Sequence, residues 1–252
     1  MTLQVPYLAD EAIERDAEAL LAQFAHARGM AIRAPIPIED IIEKHLKLRV
    51  EFDDLHRLFG VPRNGFGVGK IFGAIWLETG QIYIDESLDP EEHPSIEEFY
   101  RFTLAHEGGG HWRLHRFLAN TARGSLFADA QQPTVVCRTS QAKERVEFQA
   151  NLYASSLLMP RKLVMQAWCQ RFGNDHPGVL RRQDRIVVPG DTEDEILVRA
   201  AFDRMRAAEA AQLLAAQFFV SPTAMRIRLE RLGLLHREGL KTRIVARPAL
   251  FF

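Results

Sequence analysis

The chain has 252 residues, of which 47% are hydrophobic and 26% charged, so it can bury a sizeable core in one large domain or two small ones. A formal net charge of -1 excludes a molecule that binds nucleic acid or membranes through its overall charge. Met1 to Pro6 shows no basic region followed by an apolar core, and no stretch approaches the roughly 18 apolar residues of a membrane span. Cys137 and Cys169 are too few for a disulfide framework. The expectation is a cytoplasmic protein with two buried, inert thiols.

Asp10 to Arg28 carries Ala12, Ile13, Ala17, Leu20, Leu21 and Phe24 at helical spacing, and Gly29 stops that helix. After Pro35 and Pro37, Ile38 to His45 predicts a second, short amphipathic helix. Leu48 to Phe52 alternates like a strand. Lys70 to Leu77 and Gln81 to Ile84 read as a hairpin about the turn Glu78-Thr79-Gly80, which makes a small three-stranded sheet. Asp85 to Pro94 is an acidic loop, and Ser95 is a plausible N-cap for a helix running through Phe99, Phe102, Leu104 and Ala105.

Gly124 to Pro133 reads as loop, and Thr134 to Cys137 is short and β-branched. A strong helix follows from about Ser140 to Leu158 and stops at Met159-Pro160; Arg161 to Phe172 is again helical. Gly173 to Asp191 is broken by glycine and proline, and Glu193 to Leu235 returns to helix with an interruption at Val220-Ser221-Pro222. The tail carries Arg237, Lys241, Arg243 and Arg247 against one Glu238.

His106-Glu107-Gly108-Gly109-Gly110-His111 carries the chemistry. Two imidazoles flanking a carboxylate supply two neutral nitrogen ligands for zinc and a base beside the metal. The usual signature sets its histidines at i and i+4, about 40° apart on a helix; at i and i+5 they diverge by about 140°. A one-residue π-bulge absorbs such an insertion. Three glycines are cheap to distort, though each costs about 1 kcal/mol in helix propensity. A third ligand is needed. The helix from Ser140 offers Glu144 and Glu147, and Glu147 sits four residues before Asn151 on the same face, where the amide could orient a ligand histidine. A shifted pair, His111 with His115, lacks a following Glu to act as base.

Tyr100 to Glu107, His111-Trp112-Arg113-Leu114-His115, Glu147 to Asn151 and Leu157-Leu158-Met159-Pro160 together resemble the ImmA/IrrE family of zinc metallopeptidases. Pro37 to Ile42, Leu48 to Leu55, Gly73 to Trp76 and Val220 to Met225 are similar to it as well, so the likeness covers roughly residues 10 to 235. The family leaves two residues between Glu and the second His, whereas this chain has three. His-Glu-x-x-Gly-His also looks like the lengthened motif of the dipeptidyl-peptidase III family.

The resemblance implies a mostly helical α+β, zincin-like fold, with a metallopeptidase domain over 1-160. A C-terminal helical portion, 161-235, would pack on the same domain, followed by a basic tail, 236-252. It implies Zn2+ held by His106, His111 and Glu147, with Glu107 as general base. Asn151, His115, Tyr100 and Tyr153 are candidates for orienting the ligands or stabilising an oxyanion. The strand ending near Trp76-Leu77 could receive an extended substrate by β-addition.

The implied substrate is a helix-turn-helix repressor, expected on a separate chain because the N-terminus enters the peptidase region directly. Leu213 to Leu229 itself has a helix-turn-helix cadence with Arg226, Arg228 and Arg231 along one edge. The reading taken is that these helices close the domain without touching DNA. Two functions remain open: an active zinc endopeptidase that relieves repression, and a catalytically silent relative that binds a regulator protein or DNA without cleavage. Glu107 favours the first, and the triple glycine favours the second.

Overall fold

A computed structural model describes residues 5-62, 70-119, 135-138, 144-172 and 208-235. The predicted loop 124-133, excursion 173-191, helical residues 193-207 and basic tail lie outside them. The chain divides into two compact units, Met1–Pro160 and Arg161–Phe252.

In the first unit, α1 (Asp10–Arg28) buries Ile13, Ala17, Leu20, Leu21 and Phe24. It ends where Gly29 takes a φ of 62°, and the N–H groups of Gly29 and Met30 close on the His26 and Ala25 carbonyls. The expected short helix is present as a π-helix, Asp40–His45, which buries Ile41 and Ile42. A single helical turn, α2, spans Leu55–Leu58.

The expected strands are β1 (Arg49–Asp53), β2 (Ile71–Trp76) and β3 (Gln81–Asp85), and Val135–Arg138 joins them as β4. The sheet order is β1-β3-β2-β4. β2 and β3 form the predicted antiparallel hairpin, while β1 lies parallel to β3. β4 pairs antiparallel with the other side of β2. Among the described residues β4 covers Ile71 to Ile75 of β2, which leaves an added strand no free edge along that stretch; Trp76 lies beyond the β4 register.

α3 (Glu97–Leu104) starts after a 3₁₀ turn, Pro94–Ile96, so Ser95 sits inside that turn and is not the α-helix cap. The chain then runs unbroken through a π-helix, Ala105–Trp112, into α4 (Arg113–Ala119). α5 is Arg145–Leu158; Glu144 before it is extended, so the helix starts later than the pattern suggested. The π-helix and α5 are close neighbours.

The glycines explain how close. A Cβ on Gly110 would lie 2.6 Å from Ala150 Cα and 2.8 Å from its carbonyl oxygen. On Gly109 it would meet Leu157 at 3.0 Å and Tyr153 at 3.2 Å, and on Gly108 it would meet Ile42 at 2.7 Å. The three glycines therefore do more than permit a distorted helix. They let it lie backbone to backbone against α5, with the other π-helix on its far side.

The second unit contains α6 (Arg161–Phe172), α7 (residues 208-218) and α8 (Pro222–Arg231). Ser221 caps α8, its Oγ accepting from the Ala224 N–H at 3.2 Å, and Pro222 opens the helix. Phe218, Val220, Met225 and Leu229 are buried around this corner. The basic edge read from the sequence is reduced: Arg228 is buried, and Arg226 pairs with Glu230 at 2.7 Å. No described helix is long and apolar enough to cross a membrane.

Gly110→Ala should cost about 1-3 kcal/mol or more, because rigid backbone of α5 must move. Gly109→Ala should cost less, since it meets only side chains. Denaturant unfolding of the two variants checks this order, and a reversed ranking contradicts the packing.

Candidate metal centre

A π-helix closes its hydrogen bonds from i to i+5, so residues five apart fall on one side of it. That geometry places His106 and His111 on one face. Their Nε2 atoms are 2.9 Å apart. Glu147, from the first turn of α5, sends Oε2 to within 3.2 Å of His106 Nε2 and Oε1 to within 3.6 Å of His111 Nε2. One ligand atom from each of the three lies within 4.8 Å of the others, and all three residues are buried. Together they can hold a metal ion.

The surrounding groups orient these ligands. His106 Nδ1 lies 3.1 Å from Asn151 Oδ1, one turn beyond Glu147, so its N–H donates there and Nε2 is left bare toward the cluster. His111 Nδ1 faces His115 Nδ1 at 3.2 Å. His115 Nε2 lies 3.0 Å from Gln149 Oε1. The three-residue group that can hold an ion is His106, His111 and Glu147, not the shifted pair: His111 meets the other two through Nε2, while His115 lies behind it, 1% exposed.

Glu107 is fully buried, and neither of its carboxyl oxygens has a hydrogen-bond partner. It packs against β2, where a Cβ on Gly73 would lie 2.5 Å from Glu107 Oε1. Glycine at 73 is what gives this carboxyl its room. The two tyrosines are placed elsewhere. Tyr153 donates its hydroxyl to Asp16 Oδ1 at 2.9 Å, and Arg113 Nε holds the same oxygen at 2.8 Å. Tyr100 packs on Phe52, with Glu39, Glu43 and Asp89 as its charged surroundings. Neither hydroxyl is in the cluster, so the oxyanion roles considered for them find no support in the geometry.

Burial sets the protonation states. It pushes His111 down to about 4, helped by neighbouring His106 and opposed by Glu147. His115 is lowered chiefly by burial as well. For Glu147, burial alone would raise the carboxyl, but the two imidazoles beside it outweigh that and hold it well below the usual range. Glu107 has no such partner: burial, with Glu147 nearby, raises it well above the ordinary carboxylate value. Neutral imidazoles and an ionised carboxylate are the forms in which these groups bind metal. Two nitrogens and one carboxylate oxygen form a donor set suited to zinc, and a hard oxygen-seeking cation fits it poorly. The partnerless Glu107 carboxyl is the second mark of fit, because a buried acceptor left without a donor is otherwise costly.

Sequence reasoning missed Gln149, Gly73, Asp16 and Arg113. Arg113, Gln149 and Gly73 lie within the stretches that carry the resemblance, but their partners, like Asp16's, depend on tertiary placement. No protein-family model matches the chain, and no curated protein matches it.

Glu107→Gln should raise the melting temperature of the metal-free protein near pH 7. The raised folded value means protonation stabilises the native state fully below about 4.5, and that stability is lost as pH rises through the folded value. The gain from the amide should therefore grow with pH and fade toward pH 4. Thermal melts across this range check it, and a gain that is largest in acid contradicts it.

Proposed function

We propose that the chain is a zinc-dependent endopeptidase of the ImmA/IrrE kind, with His106, His111 and Glu147 as ligands and Glu107 as general base. The single observation that carries this reading is the meeting of three buried ligands beside a carboxyl that has no other partner. A zinc ion there supplies Lewis acidity to water and to a peptide carbonyl, and a positive charge that favours the Glu107 carboxylate.

The protein's own groups do the rest. Glu107 takes a proton from water as the water oxygen adds to the carbonyl carbon. It then delivers that proton to the amide nitrogen as the C–N bond breaks. Its burial suits it to hold the proton between the two events, because an exposed carboxylate would release it to solvent. Asn151 keeps His106 turned toward the site, and Gly73 keeps Glu107 from being pushed aside.

The substrate class follows from the resemblance: a helix-turn-helix repressor on a separate chain, cleaved in the cytoplasm to relieve repression. The alternative is a silent relative that binds such a regulator, or DNA, without cutting. The extra glycine weighed for that reading, but the π-helix lets the ligands meet despite it. A pure binder would have no use for the buried Glu107 carboxyl.

Metal analysis and repressor cleavage test this together. Wild type should carry zinc stoichiometrically and cut a repressor encoded nearby, in a chelator-sensitive way. His106→Ala and Glu147→Ala should lose the zinc. Glu107→Gln should keep it and lose about 10²-10⁴-fold in rate. Equal zinc in all four proteins would remove the site, and full cleavage by Glu107→Gln would remove the base.

Gly73→Ala offers a finer check. Its new methyl must displace the Glu107 carboxyl, so zinc content should hold while the cleavage rate falls. Loss of zinc with the rate per bound zinc unchanged would contradict the placement of Glu107.

A further inference from the structure

The His111 ligand is backed by a chain of hydrogen bonds whose direction is fixed at its far end. Pro6 offers only a carbonyl, which can only accept. Gln149 Nε2 lies 2.8 Å from that oxygen, so the amide must donate there. The opposite orientation would set two carbonyl oxygens against each other. Gln149 Oε1 therefore faces His115 and accepts in turn, at 3.0 Å, so the His115 proton is on Nε2. A neutral imidazole carries one N–H, which leaves His115 Nδ1 as a lone pair. His111 Nδ1 sits 3.2 Å from it and must supply the hydrogen. His111 Nε2 is then bare.

We propose that Gln149 and His115 are positioning residues that lock His111 in its Nδ1–H form, anchored on the Pro6 carbonyl, so that Nε2 is ready as a ligand before any cation arrives. This rests on reading the cluster as a metal centre. His106 is served by one amide, Asn151. His111 needs two groups in series because its outward nitrogen faces another imidazole, which could donate or accept. The Pro6 carbonyl removes that ambiguity from two side chains away.

Both relay side chains are 1% exposed, so bulk water cannot take over either role. The segment that ends the relay is itself fastened. Val5 is buried, and Arg145 Nη1, one turn before Gln149 on α5, donates to the Val5 carbonyl at 3.3 Å. The stretch before α1 is thus coupled to the ligand set through the relay. Its consequence is local: with both imidazole protons turned outward, the Nε2 lone pairs of His106 and His111 face each other across 2.9 Å. A cation relieves that repulsion.

The test uses ¹⁵N-labelled, metal-free protein and long-range ¹H–¹⁵N correlation spectra, which report the nitrogen that carries each imidazole proton. The proton should be on Nε2 in His115 and on Nδ1 in His111. His115 protonated on Nδ1 overturns the relay, with no variant required. Zinc affinity by chelator competition gives the second arm. Gln149→Met should bind zinc about 10-100-fold more weakly and show mixed protonation at His115. Arg57→Met, an exposed change outside the relay, should bind like wild type. Equal affinity in Gln149→Met and wild type refutes the proposal, as does an equal loss in Arg57→Met. Wild type that takes up no zinc while His115 keeps its Nε2 proton refutes the metal centre and leaves the relay standing.

Discussion

The close approach of the Ala105–Trp112 π-helix to α5 is the constraint on which the centre depends. A Cβ at Gly110 would fall within van der Waals overlap of the Ala150 backbone, so the two helices meet there without any side chain between them. Glu147 lies three residues before Ala150 and Asn151 one after it, so that contact fixes their distance from the histidines. A wider separation would carry Glu147 away from both Nε2 atoms at once. The π-helical winding and the glycines therefore serve one purpose. The winding stacks residues five apart, and the glycines allow the stack to be brought against the acid.

Charge follows from this packing. A buried cluster with no cation leaves one carboxylate to hold two imidazoles and a second carboxyl to hold nothing. Glu147 is stabilised as an anion because both histidines approach it. Glu107, a neighbour of His106 in the chain, points instead at β2 and is stabilised by no donor. The same burial that keeps His111 neutral thus keeps Glu107 from ionising easily. Two carboxyls in one small volume are thus pushed in opposite directions by their neighbours.

Much of this was legible in the residues, and the part that was not has a physical cause. The i, i+5 spacing stated the problem, and π-helical absorption was the one local solution that kept the ligands together. Glu147 and Asn151 could be read as a pair because four residues on a helix share a face. The hairpin was visible in its turn, with Gly80 at a φ of 72°. By contrast, the parallel pairing of β1 with β3 and the placement of β4 beside β2 depend on contacts between distant segments, which periodicity does not encode. The placement of the candidate tyrosines depends on such contacts as well. Tyr153 is six residues from Glu147, yet its hydroxyl is claimed by Asp16, 137 positions away in the chain. Gln149 lies in the resembling stretch Glu147 to Asn151, but its role was not legible there, since its partners are a loop carbonyl and a histidine from another helix.

The central claim is that two imidazoles five residues apart share one cation with the carboxylate of a neighbouring helix. X-ray absorption at the zinc edge of the loaded wild-type protein tests it most directly. The account predicts a first shell with two imidazole nitrogens at about 2.0-2.1 Å and a carboxylate oxygen at about 2.0-2.2 Å. A shell with one imidazole or none, or one that survives unchanged in Glu147→Ala, would contradict it.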